Sequence, residues 1–214
     1  MMNRRSLNKS LGALAGAVLA GGALTLPASV LAADLGPQAM VEKVAGDILS
    51  AIKADKSVQG GDVNRIMALV DSRVMPHVNF ERMMGTAVGP AWRQATPAQK
   101  KQVQDEFKKL LVRTYAGAFK LAGNRSLKVL PVRATGNDVL VRSELMGSST
   151  PAKIDYRLEK APNSALGWRV YNIAIEGIWQ VNSYQQQFAP IVRAKGINGL
   201  IASLQQQNRE LAGK

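Results

Sequence analysis

The chain has 214 residues, 28 Lys and Arg against 15 Asp and Glu, and a formal net charge of +13. It has no Cys and a single His, which excludes a disulfide framework, thiolate chemistry and iron–sulfur ligation. The length is that of one ordinary domain, enough to bury a core without covalent staples.

The first residues carry Arg4, Arg5 and Lys9, followed by an uncharged run from Leu11 to Leu26, Pro27, and small residues up to Ala32-Ala33-Asp34. A basic start, an apolar middle and a small-residue cleavage site define a secretory signal peptide over 1–32, cleaved after Ala32. The run is short and dilute for a ~20-residue bilayer span. The paired arginines also resemble a twin-arginine export signal. Without those three cations, 25 basic residues face 15 acidic ones, a net charge of +10. That balance suits anionic partners. Nucleic acid is not expected, because no Lys/Arg run exceeds two and the aromatics do not alternate with cations as a stacking platform requires.

Residues 33–214 read as a single domain. Met40, Val41, Val44, Ala45, Ile48, Leu49 and Ile52 recur at helical spacing up to the stop at Gly60-Gly61. Asp62 caps a second helix that Pro76 closes, and Asn79 caps a short third one. Thr96-Pro97-Ala98-Gln99 is a capping box for a long helix to Ala122, with Gly123 as its stop. That helix carries Val103, Phe107, Leu110, Leu111, Tyr115 and Phe119 on one stripe. From Ser126 the period changes to that of strands: 126–132, 138–146, 152–160 and 168–175, with turns at Thr135-Gly136-Asn137-Asp138, Gly147-Ser148-Ser149 and Pro162-Asn163. Short turns predict an antiparallel meander. Gly177 breaks the pattern, a helix follows with a kink or restart at Pro190 and a stop at Gly196, and Ile197, Leu200, Ile201 and Leu204 start a last helix. Gln205 to Lys214 is polar and is expected to fray.

The chemical inventory is thin. His77 has no fixed acidic or thiol partner, and there is no metal-ligand spacing, phosphate loop or nucleophile elbow. No catalytic residue, metal site or cofactor is expected, so the chain is not read as an enzyme. What remains is an excess of adaptable apolar side chains, Met40, Met67, Met83 and Met84 with many aromatics, which either fill a core or line a ligand cavity.

Trp168-Arg169-Val170-Tyr171, Glu176-Gly177, Asn182-x-Tyr184-x-x-Gln187-Phe188, Gly196 and Leu200-Ile201 together resemble the C-terminal signature of the MlaC-type periplasmic phospholipid-binding proteins, the toluene-tolerance family. Upstream, Pro76, Phe80, Arg82-Met83, Trp92-Arg93, Phe107, Thr114-Tyr115 and Tyr156-Arg157-Leu158 fall in the same order. The chain departs from the family at Asn172, usually Asp, at Ile178-Trp179, usually a small apolar residue and Ser, and at Gln185, often Arg. The resemblance implies an α+β fold of the NTF2-like kind: a curved, mainly antiparallel four-stranded sheet wrapped by helices around an apolar lipid cavity. It implies a monomeric periplasmic carrier, with phospholipid as cargo rather than cofactor. Its partners would be an inner-membrane MCE-domain ABC-transporter complex and an outer-membrane lipoprotein–porin complex, in the maintenance of outer-membrane lipid asymmetry. The residues expected to line the cavity are Leu111, Tyr115, Phe119, Val139, Val141, Ile154, Tyr156, Ile173, Ile175, Trp179, Tyr184 and Phe188. Two rival readings stand beside it: a periplasmic binding protein for another apolar ligand such as a hopanoid, a quinone-like molecule or a hydrocarbon, and a ligand-free adaptor.

Overall fold

A computed structural model of the chain describes residues 35–132 and 136–213. The expected signal segment 1–32 and Thr135 of the expected turn lie outside the described residues. Among the described residues no helix is long and apolar enough to cross a membrane.

Helix α1 (Pro37–Ala54) begins on a proline, whose fixed φ suits the first helical turn and whose missing N–H costs nothing there. It buries Met40, Val41 and Ile52. Asp55 caps α2 (Lys56–Gly60) and Asp62 caps α3 (Val63–Leu69), each accepting two backbone N–H bonds. Helix α3 does not stop cleanly. It runs on through a π-helical turn, Val70–Val74, and a 3₁₀ turn, Met75–His77. Pro76 is the cause, since its ring crowds the carbonyl four residues back and it donates no hydrogen bond. Asn79 caps α4 (Phe80–Val88) by accepting from the Arg82 N–H at 2.9 Å. Helix α5 (Ala91–Gln94) leads to α6 (Pro97–Ala122), which carries both halves of the capping box, Thr96 Oγ1 to the Gln99 N–H and Gln99 Oε1 to the Thr96 N–H.

The sheet is an antiparallel meander in chain order: β1 (Ser126–Val129), β2 (Asp138–Met146), β3 (Ala152–Lys160), β4 (Trp168–Ile175) and a fifth, two-residue strand β5 (Ile178–Trp179). Four strands were expected, with a break at Gly177. Instead Glu176 (φ 50°) and Gly177 (φ 80°) form a two-residue hairpin turn that returns Ile178 to Ile175. Positive φ at both central residues matches the twist of the flanking strands. Glu176 accepts the strain because its carboxylate takes the Lys153 N–H at 2.9 Å. Further back, the free edge of β4 is continued by Val78, paired in parallel with Val170.

A bulge in β4 aims its later residues. Leu158 pairs with Val170, but the adjacent Arg157 pairs with Asn172, so Tyr171 is the extra residue. Val170 and Ile173 therefore stay on the same, inner face. Asn172 locks the bulge: its Oδ1 accepts from the N–H groups of Ile173 and Val181, and its Nδ2 donates to Asn182 Oδ1 at 3.0 Å.

Helix α7 (Gln180–Ala212) contains Pro190, but the break falls at Gly196 (φ 63°, ψ −165°), where only glycine is comfortable. The segment expected to fray is helical to Ala212. Asn208 is the reason. It is buried, its Nδ2 donates to the Glu106 carbonyl and carboxylate, and its own carbonyl accepts from Arg113, which ties the segment to α6.

The fold is α+β, with an open sheet and three apolar clusters. The sheet's inner face (Val139, Val141, Leu158, Val170) packs under Met40 and Val41 of α1. Helices α4, α6 and α7 share a second cluster around Phe107, Phe188 and Leu200. Ile52, Val58, Ile66 and Val112 form a third between α1–α3 and α6.

Candidate functional site

Between the second cluster and the sheet lies a cavity of about 240 Å³. One wall is α6, through Phe107, Lys108, Leu111 and Tyr115. Leu111 lies four residues from Phe107 and three from Lys108, and Tyr115 lies four beyond Leu111, the side of a helix that one surface can see. The facing wall is Ile173 and Ile175, which the bulge keeps inward. Gln180, Val181 and Tyr184 of α7 close one end, and Phe80, Met83 and Ala87 of α4 another. The cover is the irregular stretch after α3, through Val70, Val74, Met75 and Val78. A roomier recess of about 580 Å³ runs along α7 past Ala194, Gly199, Ala202 and Gln206. It is a shallow groove on one helix rather than a space between elements.

The polar groups of the cavity are few. Tyr115 Oη donates to Gln180 Oε1 at 2.9 Å, and Gln180 Nε2 donates to the Ile178 carbonyl at 3.0 Å. The Tyr184 phenol is pushed up to about 12, mainly by burial and further by Tyr115, so it is neutral at physiological pH. Lys108 is the one charged lining residue among the described residues, and its ammonium reaches out to Asp71 at 2.6 Å. His77 stands on the 3₁₀ turn outside the cavity, and burial lowers its pKa. Among the described residues no group of three His, Cys, Asp or Glu converges as a metal site would require. The chemistry this arrangement offers is solvation of an apolar body with a charged group at its rim.

Of the twelve residues expected to line a cavity, the structure brings five together: Leu111, Tyr115, Ile173, Ile175 and Tyr184. Seven lie elsewhere. Val139 and Val141 are buried under α1, and Tyr156 packs beside them, its phenol raised to about 12 by burial. Ile154 is paired with Ile175 across the sheet but stays outside the lining. Phe119 packs against the α1–α3 cluster. Phe188 is 2% exposed and meets the Phe107 ring edge-on at 5.4 Å. Trp179 lies beneath the Arg157 guanidinium at 4.4 Å and is not part of this cavity's lining. The covering residues Val70, Val74, Met75 and Val78, with Lys108 and Gln180, were missed. Val70 and Val74 carried a signal in their four-residue spacing. The polar pair carried none.

An α+β chain that holds an apolar cavity under an irregular cover is a ligand-binding scaffold rather than a filled domain. The family profile described as MlaC protein matches residues 42–206, and the chain belongs to that family. It is 22% identical over 178 residues to the intermembrane phospholipid transport system binding protein MlaC of Haemophilus influenzae, covering 81% of this chain and 83% of that protein. It is 25% identical over 163 residues to toluene tolerance protein ttg2D of Pseudomonas putida, covering 75% and 74%. A solved structure, the phospholipid-binding protein from Ralstonia solanacearum in complex with a phospholipid, matches with a TM-score of 0.79 and 40% identity. That match spans 83% of this chain and 99% of the other.

Proposed function

We propose that this chain is a periplasmic phospholipid carrier, exported by its N-terminal segment. It passes lipid between an outer-membrane lipoprotein–porin complex and an inner-membrane MCE-domain ABC-transporter complex, and so serves outer-membrane lipid asymmetry. The observation that carries the reading is the apolar cavity between α6, β4 and α7, in a chain 40% identical to a protein solved with phospholipid bound.

The energetics favour a carrier. At ~0.8 kcal/mol per methylene, two sixteen-carbon chains would cost roughly 25 kcal/mol to expose to water. An apolar cavity offsets that by exchanging one apolar environment for another. Direction then comes from the partners' different affinities for loaded and unloaded carrier. A cavity of about 240 Å³ lies below the roughly 300–1,000 Å³ of pockets for drug-sized ligands, and a diacyl lipid is larger than those. A diacyl lipid therefore requires the walls to part. The cover from Val70 to Val78 supports that, because π and 3₁₀ turns hold fewer regular hydrogen bonds than the helices around them.

Native mass spectrometry of the chain purified from a bacterial host tests the reading. About one phospholipid per chain is expected. A different apolar mass would move the cargo to another lipid class, and a bare chain that takes up no fluorescent lipid would leave a protein-binding adaptor.

A further inference from the structure

Among the described residues, Lys108 is the one charged residue in the cavity wall. Its stem lies in the lining, and its ammonium meets Asp71 at 2.6 Å. The two ends of this pair are unequally exposed, 23% for the Lys108 side chain and 48% for Asp71. We propose that Lys108 anchors the anionic phosphate of the cargo lipid, which takes the ammonium in exchange for Asp71. The assignment rests on the carrier reading above and names the ligand group that reading leaves open.

Geometry sets the place. Leu111 and Tyr115 lie one and two turns beyond Lys108 on the same face of α6. An acyl chain along them leaves its polar end beside Lys108. Tyr115 and Gln180 satisfy each other and the Ile178 carbonyl, and the Tyr184 phenol, the remaining polar lining group, is neutral. The exchange leaves no buried charge alone: Lys108 goes from carboxylate to phosphate, and the released Asp71 is the better-hydrated partner. A lysine with its stem on an apolar wall and its head at the rim is placed for this.

The test titrates the lipid-stripped full chain with fluorescent phosphatidylglycerol and with the diacylglycerol of the same tails. The wild type is expected to prefer the phosphate-bearing lipid by about tenfold, as a charge-assisted contact provides. Lys108→Met removes that preference by weakening phosphatidylglycerol alone, Lys108→Arg retains it, and Asp71→Asn tightens phosphatidylglycerol. Lys108→Met and Asp71→Asn delete the same ion pair, so a purely structural strut would move both the same way. Shifts of the same sign, or unchanged binding in Lys108→Met, overturn the assignment. Competition by inorganic phosphate would also overturn it, in favour of a free-anion site. A wild type that takes up neither lipid defeats the carrier reading itself.

Discussion

Two covers lie over the inner face of the same sheet, and they leave opposite results. Helix α1 lies over β1 and β2, and the cluster beneath it is full: Met40, Val141 and Leu158 are 1%, 0% and 0% exposed. The stretch Val70–Val78 covers the end of β4, and there a cavity of about 240 Å³ remains. Both covers present Val and Met to the sheet, so residue type does not separate them. Regularity does. A straight helix offers even ridges that interdigitate with a pleated face. A π turn followed by a proline-led 3₁₀ turn offers side chains at uneven spacing, above a strand that its bulge has bent. Close packing is the default of protein interiors, and here irregular backbone on both sides prevents it.

The strongest way to break this comparison is to put a charge in the cavity and a void in the filled half. Tyr115→Glu puts an unpaired carboxylate in the cavity, where a lipid tail would have to desolvate it. Lipid loading is expected to fall from about one per chain to near zero by native mass spectrometry, with circular dichroism near wild type. Leu158→Ala does the reverse. It empties a closed site, costs about 2–5 kcal/mol in urea denaturation, and leaves loading per folded molecule unchanged. If Leu158→Ala loses loading at full folding, or Tyr115→Glu keeps it, the two halves are not distinct.

This division was partly legible beforehand. The capping box at Thr96 fixed α6 to the residue, and alternation located β2, β3 and β4, because local patterning determines both. The α6 and α7 lining residues Leu111, Tyr115 and Tyr184 follow from helical spacing once those helices are placed. Parity along β4 was not legible: the bulge at Tyr171 keeps Val170 and Ile173 on one side, against strict alternation, and no residue type announces it. Val139, Val141 and Tyr156 look like Ile173 and Ile175 in sequence. They are core only because α1, distant along the chain, lies over them. Trp179 went unplaced for a different, local reason: a two-residue strand sets it beneath Arg157. The buried Asn208 was hidden in a polar run that reads as tail.

A smaller effect sharpens the comparison at the bulge. Asn172 is 4% exposed and bonds Ile173, Val181 and Asn182 at once. Asn172→Ala leaves two buried N–H groups without acceptors and is expected to cost about 1–3 kcal/mol. Because the same bonds aim Ile173 into the cavity, it should also weaken lipid uptake, which Leu158→Ala does not. Asn172→Asp keeps both N–H bonds, and the Asn182 amide can turn its NH₂ toward the carboxylate. Near-wild-type stability is expected for that variant, consistent with the aspartate usual in the family. Equal losses in urea denaturation for the Ala and Asp variants would remove the side-chain lock.

The finest contrast is between two tyrosines, one in each half. Burial raises Tyr156, under α1, and Tyr184, in the cavity, to about 12. The fold thus prefers both phenols neutral. Below their ordinary value near 10 the folded and unfolded chains hold the same phenolic protons, and stability is full. As pH rises from about 10 to about 12, the unfolded chain releases protons that the folded chain keeps, so stability falls across that window. Tyr156→Phe and Tyr184→Phe should each flatten part of the fall in pH-dependent urea denaturation. Lipid then separates them. Acyl chains beside Tyr184 desolvate its hydroxyl further and raise its titration in an ultraviolet absorbance experiment, whereas Tyr156, packed against the α1 cluster and outside the cavity lining, does not respond. A late titration of Tyr156 that moves on loading, or of Tyr184 that does not, would mean that the lipid sits against the other half of the sheet.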